Sequence, residues 1–166
     1  MKKISLLMLV LVAVLVGCGR QNSASSEKSS SSASQQKIKV KTKTYRLPKN
    51  SVGNTAKAVV SYEKDKVTMI DMTVFKDYDD TFSKDDAKQM LAKLKDLFVD
   101  LTGTKVTSNS DGKTFEYAIS IDATKVDWEE LSKISSFYDF APENKEYWTV
   151  EAFGKLLEKH DFVEEK

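Results

Sequence analysis

An α+β fold is predicted for this 166-residue chain: a mostly antiparallel sheet with amphipathic helices packed on one face, preceded by a signal peptide and a disordered tether. Three observations predict it. Alternation of apolar and polar side chains, broken by turn residues, recurs across 55–75 and 106–121, the pattern of half-buried strands. Apolar residues recur at three- and four-residue spacing across 83–101 and 149–160, as in helices that bury one stripe. The first 36 residues carry neither pattern.

The start of the chain has the most specific chemistry. Lys2 and Lys3 precede an apolar run from Ile4 to Val16, interrupted only by Ser5. At about 13 residues the run fits the apolar region of a signal peptide and falls short of the roughly 20 that a bilayer-crossing helix needs. It ends in Leu15-Val16-Gly17-Cys18, and Cys18 is the only cysteine. This quartet resembles the bacterial lipobox, with small Gly17 directly before the cysteine. In such precursors the sulfur takes a diacylglyceryl group and the chain is cut just before it; a hydroxyl there would form no thioether. The expected organisation is a signal peptide at 1–17, lipidated Cys18 with a tether at 18–36, and one domain at 37–166. The expected location is the extracytoplasmic face of the cell membrane, with the membrane as partner through Cys18. Two acyl chains supply the two signals that stable anchoring requires. Consuming Cys18 also removes disulfides, cysteine metal sites and thiol catalysis from the mature chain.

Gly19 to about Gln36 is rich in Ser, Ala, Gln and Asn. Such a stretch buries too little surface to offset chain entropy, so a coil with a reach of roughly 25 Å is expected. From Lys37 to Arg46 the alternation puts Lys37, Lys39, Lys41 and Lys43 on one face and Ile38, Val40, Thr42 and Thr44 on the other. Two readings stand for this strand: an edge whose lysines deter pairing, or a basic face for anionic lipid or an anionic wall polymer.

Pro48 and the turn residues that follow end that strand. Thr55 to Tyr62 and Val67 to Phe75 read as a hairpin around Glu63-Lys64-Asp65-Lys66. Ser83 and Asp86 have capping-box spacing. They open a helix with Ala87, Met90, Leu91, Leu94, Leu97, Phe98 and Leu101 as its stripe and Gly103 as its C-terminal cap. Asp111-Gly112 marks a second hairpin, in whose second strand Phe115, Tyr117, Ile119 and Ile121 share a face. Asp127 suits the cap of a short helix over 128–134, with Glu130 as reciprocal partner. The stretch 135–147 reads as irregular, broken at Pro142, and Thr149 opens a last helix whose stripe is Val150, Phe153, Leu156, Leu157 and His160. Phe162-Val163 either rejoins the sheet or packs down.

Several local motifs together resemble the YehR-like family of small bacterial lipoproteins. They are the hairpin Tyr62-Glu63-Lys64-Asp65-Lys66-Val67, the helix start Lys84-Asp85-Asp86-Ala87 and the run Ile121-Asp122-Ala123-Thr124-Lys125-Val126-Asp127. The closing helix after Trp148-Thr149-Val150, ending in His160-Asp161-Phe162, completes the match. These are packing and turn signatures. The resemblance implies a single α+β domain on a lipid anchor, of unknown function, and carries over no catalytic residue.

Charge excludes one class. Removing Lys2 and Lys3 leaves 24 basic residues against 25 acidic ones, without the basic excess of a nucleic-acid binder. No catalytic set, cofactor motif or metal-ligand pattern is legible: there is no phosphate loop, dinucleotide fingerprint or Gly-x-Ser-x-Gly. The single histidine, His160, continues an apolar stripe near a helix end and reads as structural. Asp77, Asp79, Asp80, Asp85 and Asp86 are the best oxygen-ligand cluster, but acids before a helix are favoured by its dipole alone. The aromatic residues Trp128, Phe137, Tyr138, Phe140, Tyr147 and Trp148 crowd one stretch, either as a contact surface or as the lid of the core. Tyr138, Tyr147 and Trp148 are the candidate binding residues. The expected function is a non-enzymatic binding or interaction module of the envelope, with a protein or wall polymer as partner. The alternatives are a carbohydrate-acting enzyme using paired carboxylates and a passive structural lipoprotein.

Overall fold

A computed structural model describes residues 39–50, 53–144 and 146–166. The readings at Leu15, Val16, Gly17 and Cys18 and along the tether fall outside the described residues. Within them the predicted class is found: a six-stranded antiparallel sheet with three helices. The strands are β1 (Lys41–Leu47), β2 (Asn54–Glu63), β3 (Lys66–Asp77), β4 (Thr104–Ser110), β5 (Thr114–Asp122) and β6 (Val163–Glu164), and the helices are α1 (Lys84–Phe98), α2 (Trp128–Ser132) and α3 (Val150–Lys159). Strand order across the sheet is β4-β5-β3-β2-β1-β6.

One face of the sheet is the core. Ala56, Ala58 and Val60 of β2, Ile119 and Ile121 of β5 and Tyr45 of β1 are all buried, together with Phe98 from α1 and Phe153, Leu156 and Leu157 from α3. In β3 strict alternation fails. Ser61 faces Met69 while Tyr62 faces Val67, so Thr68 is an extra residue in a bulge. The bulge changes the phase: Val67 is buried before it, and Ile70 after it, with Met72 and Val74 packed on the same core. Phe75 therefore lies on the other face, beside Thr55 and Glu116. Thr68 is held by its hydroxyl on the Ser61 carbonyl (3.2 Å) and by the Ala123 N–H on its own carbonyl (3.0 Å).

The capping box forms in full at the start of α1. The Asp86 N–H donates to Ser83 Oγ (3.2 Å) and the Ser83 N–H to Asp86 Oδ2 (2.8 Å). Two details of α1 differ from the sequence reading. Leu97 is 54% exposed, because it sits about 100° round the helix from buried Phe98. Gly103 is not the helix cap; α1 ends at Phe98 with Val99 as its C-cap, and Gly103, at φ +80, makes the turn into β4. A side chain there would meet the Val126 nitrogen at 2.9 Å.

The first strand also differs from a plain edge. β6 pairs with β1 at Tyr45 and Arg46, so Phe162-Val163 returns to the sheet. The lysine side of the alternation is the side of buried Tyr45. Lys43 is half-buried there and meets Glu164 at 3.0 Å.

Candidate functional site

The aromatic stretch is built by two caps and one strand-like segment. Asp127 accepts from the N–H groups of Glu129 (3.0 Å) and Glu130 (3.1 Å) and starts α2. The Glu130 side chain turns to Lys133 instead of reaching back, so the expected reciprocal contact is not made. Thr149 caps α3 by accepting from the Ala152 N–H (3.2 Å). Just before it, the chain lies beside the start of β3, where β5 has already ended at Asp122. The Val67 N–H donates to the Trp148 carbonyl (2.9 Å) and the Val150 N–H to that of Asp65 (2.7 Å).

This placement divides the three candidate binding residues. Trp148 is 8% exposed. Its indole N–H donates to the Phe140 carbonyl at 2.7 Å and its ring meets Phe153 at 5.6 Å. It is chiefly a core residue, reaching the floor of the groove along α3 only by its small exposed part. Phe137, Phe140 and Phe153 continue the cluster through edge-on contacts of 4.8 and 5.7 Å, and Trp128 is buried as well. Tyr138 is 63% exposed. Tyr147 is half-buried, with Lys66 Nζ 4.7 Å from its ring centre, a cation–π distance.

Tyr147 stands between two open grooves. One, of about 480 Å³, runs along α3 past Glu143, Asn144, Thr149, Lys155 and Lys159. The other, of about 540 Å³, is formed by the β2–β3 turn, with Glu63, Lys64, Asp65, Lys66 and Thr124. Tyr138 lines neither. Lys155 and Lys159 follow from the polar side of the α3 stripe, so the sequence held a signal for them. Nothing in the sequence brings Lys64 and Lys66 to Tyr147, because that contact depends on where β5 stops. A third opening of about 540 Å³ borders α2, and Trp128 at its wall has a buried indole N–H without a partner.

Several other titratable residues are held by neighbours. His160 Nε2 lies 3.0 Å from both carboxylate oxygens of Asp139, and Lys159 Nζ lies 3.1 Å from Oδ2. Burial pushes the Asp139 carboxyl up, but these two contacts outweigh it and hold it below the ordinary range. His160 thus fastens the end of α3 to the turn after the 3₁₀ segment Ser135–Phe137. In the acidic stretch Asp77 accepts from the Thr114 hydroxyl, Asp79 from Thr81 and Asp86 from Ser83, while Asp85 pairs with Lys88. Among the described residues, no three acidic, histidine or cysteine side chains converge as a metal site.

The profile of a family described as proteins of unknown function (DUF1307) matches residues 41–163. The chain belongs to this family. The DUF1307 match runs from the first residue of β1 to the first of β6 and so takes in every element of the sheet and all three helices. An NMR structure of Escherichia coli YehR is similar over 78% of this chain and 93% of its own, at 21% identity and a TM-score of 0.66. An NMR structure of a protein from Streptococcus pneumoniae TIGR4 is similar over 90% of this chain and 100% of its own, at 14% identity and a TM-score of 0.55. At these identities the likeness concerns the fold, the one implied by the YehR-like motifs. No match is found among curated proteins.

Proposed function

We propose that this DUF1307 domain is a non-enzymatic binding module held on the extracytoplasmic face of the cell membrane by lipidated Cys18. The observation that carries the binding part is Tyr147: a half-exposed aromatic with a polar tip on the wall of a groove of about 480 Å³ along α3. The groove offers hydroxyl, amide, carboxylate and ammonium groups beside an aromatic face, a mixture suited to a polar envelope component, protein or wall polymer. The lipobox quartet Leu15-Val16-Gly17-Cys18 supports the anchor. Two further observations favour binding over the paired-carboxylate enzyme. Among the described residues, every carboxyl displaced from its ordinary ionisation is displaced downward by hydrogen bonds and ion pairs, opposite to the direction a general acid requires. Asp127, beside the third opening, is committed to capping α2.

Two measurements test the two parts separately. Cys18→Ala should abolish incorporation of labelled fatty acid and leave unprocessed precursor; continued labelling would overturn the anchor. A photoreactive residue at position 143 or 155 should cross-link a specific envelope component in living cells. Tyr147→Ala should lower that yield by about tenfold or more, as for a contact residue of some 1.4 kcal/mol. Turnover of a wall glycan by the purified protein would remove the reading.

A further inference from the structure

The protein has two tryptophans, and their indole N–H groups fare differently. That of Trp148 is bonded to the Phe140 carbonyl at 2.7 Å. That of Trp128, a residue 5% exposed, is buried without an acceptor. Native proteins seldom leave a buried donor unpaired, and each instance calls for a reason. Trp128 forms part of the wall of the opening of about 540 Å³ beside α2, together with Lys125, Asp127, Glu129, Ser132 and Glu146. That wall is rich in acceptors. Asp127 uses one oxygen, Oδ1, for both of its capping bonds. Glu129 and Glu146 are exposed, and among the described residues nothing donates to their carboxylates. The cations at hand are engaged: Lys125 with Asp122 at 2.6 Å and Lys133 with Glu130.

We propose that the opening beside α2 binds a neutral carbohydrate, whose hydroxyl groups donate to the carboxylates of Asp127, Glu129 and Glu146 and accept from the Trp128 indole. The two kinds of protein group select this chemistry together. A cation would satisfy the carboxylates and leave the indole as it is. An anion would accept from the indole and be repelled by the carboxylates. A hydroxyl both donates and accepts, so adjacent hydroxyls on one ring serve both. A peptide amide carries the same two functions, but its side chains need apolar recesses, and the apolar members of this wall, Val126, Trp128 and Ala141, are buried or half-buried. The desolvation cost of the indole is already met in folding, so an acceptor brought to it contributes its whole hydrogen bond. Reaching the N–H requires the wall to part by about the width of an atom. Glu129 and Glu146 are long, exposed side chains of that wall, and such side chains change rotamer readily. Among the described residues none lines both this opening and the groove along α3, so binding here depends on neither Tyr147 nor the anchor.

The test follows the two indole N–H signals by NMR, in the full chain as the cell processes it, isotope-labelled in its tryptophans and held in a zwitterionic detergent that carries no sugar. Maltotriose and the trimer of N-acetylglucosamine are the neutral probes, with trilysine and an end-blocked alanine tripeptide for comparison. At least one trisaccharide should move the Trp128 signal downfield and slow its exchange with water, equally in low and high salt. The Trp148 signal, already bonded, should stay in place and so report the fold. Glu129→Ala/Glu146→Ala should raise the sugar concentration at half response by about tenfold or more. A Trp128 signal unmoved by both trisaccharides overturns the proposal, as does an equal shift of both indoles or a double variant that responds like the parent. A response to trilysine alone, lost in high salt, overturns it in favour of a cationic ligand, and a response to the peptide alone in favour of a protein partner. Loss of cross-linking in the α3 groove, with the Trp128 response intact, removes the earlier reading and leaves this one standing.

Discussion

The Tyr45 hydroxyl occupies the space that a side chain at Gly154 would need: a Cβ built on Gly154 would lie 2.6 Å from Tyr45 Oη. Tyr45 is 1% exposed on the core face of β1, and Gly154 is in the middle of α3. Glycine inside a helix costs about 1 kcal/mol relative to alanine, so its place here follows from the close approach of strand and helix. Gly154→Ala would gain that propensity but force the phenol or the helix to shift, at about 1–3 kcal/mol. We expect a net loss of stability in urea unfolding. Tyr45→Phe removes the atom in conflict and leaves Cζ at 3.5 Å, ordinary contact. The double variant Tyr45→Phe/Gly154→Ala should therefore be more stable than the sum of the single changes predicts. Strict additivity would show that the two residues do not compete for the same space.

Acid should destabilise the domain through its downshifted carboxyls. Asp122 is held low by Lys125 and Thr124, Asp86 by Ser83, and Asp139 by Lys159 and His160 against the upward push of burial. A carboxyl that ionises more readily when folded leaves the unfolded chain with more bound protons at low pH, so stability rises with pH in that range. The contribution is complete above the ordinary aspartate range near 4 and fades as pH falls through it toward the lower folded values. The urea midpoint should be nearly level from about pH 7 to 5.5 and decline below about pH 4.5. Asp139→Asn should shallow the decline. A midpoint that rises on acidification would contradict these assignments.

Ser83→Ala tests the capping box. It removes the acceptor of the Asp86 N–H and should cost about 1 kcal/mol, in the range of 0.5–2 known for such caps. Ser83→Asp keeps an acceptor and should recover most of it. Equal unfolding midpoints for wild type and Ser83→Ala would mean that water satisfies the end of α1 as well as the hydroxyl does.

The local features were legible and the non-local ones were not. Ser83, Asp127 and Thr149 announce helix starts by their own hydroxyl or carboxylate, and the Phe115-to-Ile121 alternation announces its buried face. Strand order is another matter. Nothing near Val163 says that two residues will close the sheet against Tyr45 and Arg46. The bulge at Thr68 is invisible to alternation, which would keep Val67 and Phe75 on one face; the structure puts them on opposite faces. The candidate site suffers most from this. Aromatic density marked the right stretch, but the choice between Tyr147 and Trp148 depends on the pairing of Trp148 with Val67 across the sheet, a contact between distant parts of the chain.

That choice gives the last prediction. Trp148 and Tyr147 are neighbours in sequence with opposite roles, so truncating each should change a different measurement. Trp148→Ala leaves a cavity against Phe153 and deprives the Phe140 carbonyl of its donor, and should destabilise by about 3–5 kcal/mol. In the folded parent its indole should resist aqueous quenchers, as should that of buried Trp128. Tyr147→Ala opens no enclosed space and loses one cation–π contact with Lys66, of about 0.5–1 kcal/mol where exposed. Its unfolding midpoint should stay near that of the parent while cross-linking through the α3 groove falls. If Tyr147→Ala unfolded as readily as Trp148→Ala, Tyr147 would belong to the core lid and the groove would lose its contact residue. If Trp148→Ala were as stable as the parent, its ring would not carry the packing assigned to it.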